Sequence, residues 1–309
     1  MKKVIIISGT SRSGSSLLDL MIGNSDKGFS SGELYRLFRP IKSTDVVYKN
    51  EFNESIYLDK VEKFWDQIKS KGEENVYDNI FDSFERLEYI VDSSKNPIWI
   101  RNQLKYSKNK SYKIIPIIIY KIPSEYAYSL YKRNKSKYWK KRWINKHLIL
   151  FSILEKFITV RYSELAKNPS KHLKLICENI GIDYFDGKEN FWINQSKKYF
   201  LFGSDTLRKS RKNVYYNYQN NNLYLEFIKK ELDKSEKIFT DILQILDAYE
   251  VGSKYENRDI ILNNKEEIKK FSILTQLKCE LETSKFFELN NFVSNLKKNT
   301  DKILDKIKY

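Results

Sequence analysis

The string GTSRSGSS, residues 9–16, follows the apolar run KKVIIIS at the start of the chain. It has the outline of a phosphate-binding loop, G-x-x-x-x-G-K-[ST], with Ser15 standing where the lysine belongs. The backbone N–H groups of a glycine-rich turn and of a helix N-terminus cradle an anion without help from side chains. Ser13, Ser15 and Ser16 can add hydroxyl donors, and Arg12 places a cation inside the turn. The missing lysine would supply positive charge at the β- and γ-phosphates of a triphosphate, beside a magnesium ion. Arg12 suits a shorter anion, with one phosphate in the cradle and a bridging oxygen beside the guanidinium. A tight glycine turn with incidental serines is the plainer reading of the same residues. Other reactive types are sparse. His147 and His172 lie in no H-x-E or H-E-x-x-H array, and Cys177 and Cys279 have no metal-ligand spacing, so no metal site is expected.

Such a loop works only between a strand and a helix. Residues 3–8 are mostly β-branched, as in a parallel strand covered on both faces, and SSLLDLMIGN then opens a helix. GFSSGEL reads as a second short strand ending at Gly32-Glu33, followed by a charged helical stretch over about 53–86. LEYIVDSSK is a strand running into a polar loop, and Pro97 suits the first turn of a helix over 97–108. SYKIIPIIIYKIP is the most apolar strand, in which Pro116 predicts an edge position or a local break. A helix from Pro123, a further helix, the strand KFITVRYSEL and a helix between Asn168 as cap and Gly181 as stop complete the series. Strands alternating with helices predict an α/β fold: a three-layer, mostly parallel sheet with a P-loop-type turn. After about residue 195 the pattern becomes a polar, basic, aromatic loop, then a helix over 220–250. The expected organisation is one α/β domain over 1–250 and a helical C-terminal extension over 251–309.

The chain has 309 residues, 41% hydrophobic and 15% aromatic, enough to build a substantial core. No apolar stretch approaches the ~20 residues that span a bilayer. With only two cysteines, a reducing and therefore cytoplasmic location is expected. The formal charge of +16 attracts anions such as nucleic acid, acidic glycans or phosphorylated cofactors, although a coding bias toward Lys, Asn, Ile and Tyr produces the same excess.

GTSRSGSSLLDLMIGN resembles the 5′-phosphosulfate loop of the sulfotransferase family, whose donor is 3′-phosphoadenosine 5′-phosphosulfate (PAPS). The resemblance implies a parallel α/β sheet related to nucleotide kinases. It puts Arg12 at the bridging oxygen, with the amides of Ser11, Arg12, Ser13, Gly14, Ser15 and Ser16 around the 5′-phosphate. SSGELYRLF resembles the Gly-Glu of tyrosylprotein sulfotransferases, 21 residues beyond the loop arginine, which makes Glu33 the general base. A carboxylate can take the proton of an attacking hydroxyl if burial raises its proton affinity toward working pH. VDSSKNP resembles the family segment whose lysine, here Lys95, stabilises charge on the transferring group. In YKIPSEYAYSLYKR, Lys121, Ser129 and Arg133 match the family's 3′-phosphate site, with Lys121 replacing an arginine and losing its bidentate fork. Ser129 and Arg133 are one helical turn apart, so both can face one phosphate. VRYSELAKNPSKHLKLICENIGI implies that Tyr162 contacts adenine or ribose, and FGSDTLRKSRK implies Arg208 over the nucleotide with Gly203 as its hinge. Each residue also has an ordinary reading: a helix cap for Glu33, a surface lysine for Lys95, a solvated basic face for Ser129 and Arg133.

The function these residues imply is sulfonate transfer from PAPS to a hydroxyl or amine of a small-molecule, glycan or peptide acceptor, without a metal and without a membrane span. Two rivals stay in view. A small-molecule kinase using ATP would need a cation after Gly14 and a carboxylate for magnesium. A non-catalytic basic module binding nucleic acid or acidic glycan would draw on KYWKKRWINKH, residues 137–147, for basic and aromatic contacts. Nucleic acid is the less expected partner.

Overall fold

The computed structural model describes residues 1–39, 55–134, 137–192, 199–203 and 236–252. Five strands form one all-parallel sheet in the order β2-β3-β1-β4-β5. They are β1 (Lys2–Ser8), β2 (Gly28–Gly32), β3 (Tyr89–Asp92), β4 (Tyr112–Tyr120) and β5 (Ile158–Arg161). β1 lies at the centre, with Val4 opposite Ile90 on one side and Ile114 on the other. The helices are α1 (Ser15–Ile22), α2 (Tyr35–Phe38), α3 (Ser55–Ser70), α4 (Val76–Asp82), α5 (Pro97–Tyr106), α6 (Pro123–Tyr131), α7 (Trp139–Ile153), α8 (Tyr162–Lys167), α9 (Pro169–Ile180) and α10 (Glu236–Ala248).

Strand alternation divides the core into two layers, one on each sheet face. Val4 and Ile6 join one cluster with Trp65, Trp99, Trp143 and Phe239, while Ile5 and Ile7 join another with Leu17, Leu20, Leu173 and Ile176. Each helix supplies an apolar stripe. In α9 the buried positions are Leu173, Ile176, Cys177 and Ile180, spaced for one helical face. This is the three-layer α/β architecture expected from the sequence.

Three local expectations change. Pro116 does not mark an edge strand, because β4 sits between β1 and β5. Pairing with β5 begins only at Ile117, so at Pro116 the strand has a partner on the β1 side alone and the missing N–H breaks no β5 bond. The stretch 53–86 is two helices separated at Gly72, whose φ of 87° ends the first. Asn168 occupies the N-cap position of α9 without a side-chain cap hydrogen bond. The helix within 220–250 is described from Glu236 to Ala248, and the chain just after it runs along the edge of the sheet. Thr159 N–H donates to the Tyr249 carbonyl (2.8 Å) and Val251 N–H to that of Thr159 (3.1 Å), covering the β5 edge. Residues 253–309, and with them the proposed extension, lie outside the described residues. Among the described residues no helix is long and apolar enough to cross a membrane.

Candidate active site

The loop after β1 opens at the carboxyl end of the central strand, where ligands bind in sheets of this kind. Gly14 caps α1 in the left-handed region, φ 102°, without a side-chain cap bond. A Cβ at Gly14 would drive into the Tyr162 ring, so both conformation and space require glycine. Leu17 and Leu18 N–H both donate to the Gly14 carbonyl (3.0 and 3.1 Å). Ser15 and Ser16, at the first two helical positions, therefore present amides with no intrahelical acceptor. Arg12 also has positive φ, 70°, and faces the cleft. The loop serines divide. Ser11, Ser15 and Ser16 line the cleft, whereas Ser13 is fully buried, with its N–H donating to the Thr10 carbonyl (3.3 Å). The expected Ser13 hydroxyl donor is thus beneath the loop, packed under the turn at Gly9.

The cleft has a volume of about 850 Å³, and its walls carry six cations (Arg12, Arg36, Lys95, Lys121, Lys132, Arg133) against one carboxylate, Glu33. Such an imbalance in a partly desolvated groove attracts a multiply charged anion.

Glu33 follows β2, where Gly32 has φ 74° and packs on the Leu201 carbonyl; Glu33 N–H donates to that same carbonyl at 2.8 Å. Its carboxylate is nearly buried and holds a cation on each oxygen: Lys95 Nζ lies 2.7 Å from Oε1 and Arg36 Nε 2.7 Å from Oε2. Spacing along the chain pointed to Glu33; the fold adds its two ion-pair partners. Lys95, itself at φ 56°, also donates to the Ser93 carbonyl at 2.8 Å. Arg36 was not foreseen, although its position one turn after Glu33 is a usable signal.

A second cationic pole faces the loop from β4 and α6. Lys121 lies 4.2 Å above the centre of the Tyr162 ring. Burial, reinforced by Arg12 and Lys132 and opposed by Glu125, brings its pKa down to about 8. Ser129 lines the cleft with its one hydroxyl proton donated to the Tyr126 carbonyl (2.8 Å), so it must turn from that carbonyl to donate to an anion. Arg133 lines the cleft too, but from the turn after α6, where its N–H bonds the Leu130 carbonyl (3.0 Å). The Arg12 guanidinium is pulled below its usual pKa by burial and then by Arg133. Two like charges are thus held close in a partly dry site. The Tyr162 ring forms the floor between Gly14 and Lys121. Gly203 lines the cleft beside Ser16, and Arg208 lies outside the described residues.

Behind the walls stand residues that motif spacing did not reveal. From α7, Trp143 Nε1 donates to the Lys121 carbonyl (2.9 Å) and Lys146 Nζ to the Lys95 carbonyl. His147 bonds the Trp143 carbonyl through Nδ1 (2.7 Å), and burial holds its pKa down to about 4, so it is neutral. Trp139, Trp143 and His147 are all buried. The two tryptophans of KYWKKRWINKH are therefore core and are not available to stack on bases, while Tyr138 beside them is exposed. Their four-residue spacing was the readable sign of one buried helix face. Asp19, in the middle of α1, and Asp92, at the end of β3, are also fully buried. Asp92 accepts from Tyr77 OH (2.6 Å), Trp99 Nε1 (2.8 Å) and Ser94 N–H (2.8 Å).

The chain matches no family profile and no curated protein. Among solved structures it is similar to the sulfotransferase domain from the curacin biosynthetic pathway, with a TM-score of 0.53 and 13% identity over 75% of this chain and 98% of that one. It is also similar to the sulfotransferase domain from the Synechococcus PCC 7002 olefin synthase, with a TM-score of 0.48 and 17% identity over 74% of this chain and 94% of that one. The first of these spans nearly the whole of its partner, and the described residues form the same parallel α/β sheet: this chain has the sulfotransferase fold.

Proposed function

We propose that this protein is a sulfotransferase that moves a sulfonate group from PAPS to an acceptor hydroxyl or amine, with Glu33 as general base. One observation carries the proposal: a single cleft joins a phosphate loop, a second cationic pole and one ion-paired carboxylate. Two poles fit a donor with two separated phosphates, and the carboxylate supplies what an acceptor O–H requires. The chain's residues fit the donor on their own terms, since Ser15 and Ser16 offer unpaired first-turn amides and Arg12, Lys121 and Arg133 offer charge. Bound PAPS would supply an activated sulfonate on a bisphosphate leaving group.

The roles follow from position. Glu33 takes the acceptor proton through the oxygen it shares with Lys95, so Lys95 must give up part of that ion pair. With the donor bound, its ammonium would supply positive charge to the sulfonate as the acceptor oxygen or nitrogen bonds to sulfur, and Arg12 would supply it to the bisphosphate that leaves with the electron pair of the broken S–O bond. Arg36 stays on the other Glu33 oxygen and orients it. Lys121, Ser129 and Arg133 hold the 3′-phosphate, and Tyr162 braces the loop. Kinase chemistry is less well served, since Asp92 is committed to Tyr77, Trp99 and Ser94 inside the protein and is not available to a cleft metal. Titration with 3′,5′-adenosine bisphosphate tests the reading: saturation at 100 times Kd should stabilise the fold by ~2.7 kcal/mol. Glu33→Gln should keep that binding and lose transfer by about 10²–10⁴-fold. No stabilisation by the bisphosphate would overturn the donor assignment, and full activity in Glu33→Gln would overturn the base.

A further inference from the structure

Asp19 is the one fully buried carboxyl on the helix that follows the phosphate loop, little more than a turn beyond Ser15 and Ser16. Its Oδ2 accepts two hydrogen bonds, from Gly32 N–H at 3.1 Å and from Ser93 Oγ at 2.7 Å. Gly32 directly precedes Glu33. Ser93 carries the carbonyl that Lys95 Nζ bonds, and its own N–H donates to the Gly32 carbonyl at 2.8 Å. The Asp19 main-chain carbonyl accepts in addition from Ser30 Oγ at 3.0 Å. One residue of α1 thus touches the strand end bearing the carboxylate and the strand end bearing the lysine.

We propose that Asp19 is a positioning residue for the transfer reaction: through one oxygen it locks Glu33 and Lys95 in register with the phosphate cradle of α1. This rests on the sulfotransferase reading above. Neighbouring β2 and β3 are tied to each other by ladder bonds, but those bonds set neither strand end relative to α1. The Asp19 carboxyl does. Burial, with a further push from Asp92 against the Ser93 bond, raises its pKa well above the usual carboxylate range. Its Oδ1 is buried with no hydrogen-bond partner, which suits the protonated oxygen better than a bare charge. An asparagine reproduces this arrangement, with its carbonyl on Gly32 and Ser93 and its amide in place of the protonated oxygen. An alanine reproduces none of it.

The test uses the full chain with Asp19→Asn, Asp19→Ala and Ser93→Ala. Bisphosphate release from PAPS, with a simple phenol or water as acceptor, gives the rate, and 3′,5′-adenosine bisphosphate gives the affinity. Asp19→Ala should lower kcat about 100-fold, the scale of a 1 Å misplacement, with the bisphosphate Kd nearly unchanged. Asp19→Asn should restore both values, and Ser93→Ala should lower kcat by a smaller factor. Amide exchange at Gly32 should accelerate in Asp19→Ala and stay slow in Asp19→Asn. Wild-type kcat in Asp19→Ala overturns the proposal, as does a loss in Asp19→Asn equal to that in Asp19→Ala. If Asp19→Ala does not fold, an unchanged kcat in Ser93→Ala overturns it. If the wild type binds no bisphosphate, the sulfotransferase reading fails separately, and unchanged Gly32 exchange in Asp19→Ala then decides against Asp19 on its own.

Discussion

Lys121 is the place where donor affinity should depend on pH. Its ammonium lies in the cleft over Tyr162, and burial, with Arg12 and Lys132 adding repulsion, holds its pKa at about 8. A phosphate bound there favours the charged form, so binding above pH 8 must take up a proton. With the bound-state pKa lifted well clear, affinity falls by the fraction of lysine still charged. At about pH 9.5 that fraction is roughly 3%, a loss of about 30-fold or ~2 kcal/mol, using 1.36 kcal/mol per pH unit. The phosphates themselves are fully ionised in this range, since their second pKa is about 6. Tyr162, its own pKa raised by burial, stays protonated. Calorimetric titration of 3′,5′-adenosine bisphosphate from about pH 7 to about pH 9.5 should show a flat region and then a fall approaching tenfold per unit. Repeating it in buffers of different ionisation enthalpy should reveal the proton taken up. Lys121→Arg removes the titration and should flatten the profile. A flat wild-type profile, or one equally steep in Lys121→Arg, would refute the argument that Lys121 contacts the donor.

Three further outcomes follow from single contacts. Gly14→Ala should abolish bisphosphate binding and destabilise the fold by about 1–3 kcal/mol, the cost of a left-handed non-glycine residue, before any added clash with Tyr162; denaturant midpoints and titration read both. Lys188 is fully buried, donating to the Asn24 carbonyl (3.2 Å) and Tyr89 OH (3.0 Å), and burial depresses its pKa to about 8. Between that value and its unfolded pKa near 10.5 the unfolded state holds more protons, so wild-type stability should gain about 2 kcal/mol relative to Lys188→Met from pH 8 to about pH 9.5; parallel melts that fail to converge would contradict it. Trp143→Phe removes the Nε1 donor from the Lys121 carbonyl. It should cost about 1–3 kcal/mol through the unpaired carbonyl, and weaken bisphosphate binding as the Lys121 backbone loosens.

Local chemistry made much of the fold readable. β-branched runs, Pro97 and Pro123 at helix starts and Gly181 at a helix stop are interactions between near neighbours, and each stands where the sequence placed it. Pro116 misled because its tolerance depends on where β5 begins, some 40 residues later in the chain. KYWKKRWINKH also depends on distant packing. Its composition resembles a basic interface, yet the tryptophans point inward to hold Lys121 and to pack on Phe239. Asp19 and Asp92 gave no motif signal at all, because a buried acid is distinguished only by what surrounds it.

Residue order alone was enough to read a glycine-rich loop with no lysine after Gly14, a cation in the turn, and a parallel α/β chain to carry them. These follow from residue type and short spacing: glycine for positive φ, serine for the first helical turn, alternation for strands. Only the tertiary structure decided the state of Glu33. Its partner Lys95 is 62 positions away in the chain, and the two meet at 2.7 Å because β2 and β3 are adjacent in the sheet. Proximity of that kind is set by strand order, and the buried Asp19 bonds both strand ends. No local preference encodes it, which is why the Glu33 carboxylate and its two cations become visible as one cluster only once the chain is folded.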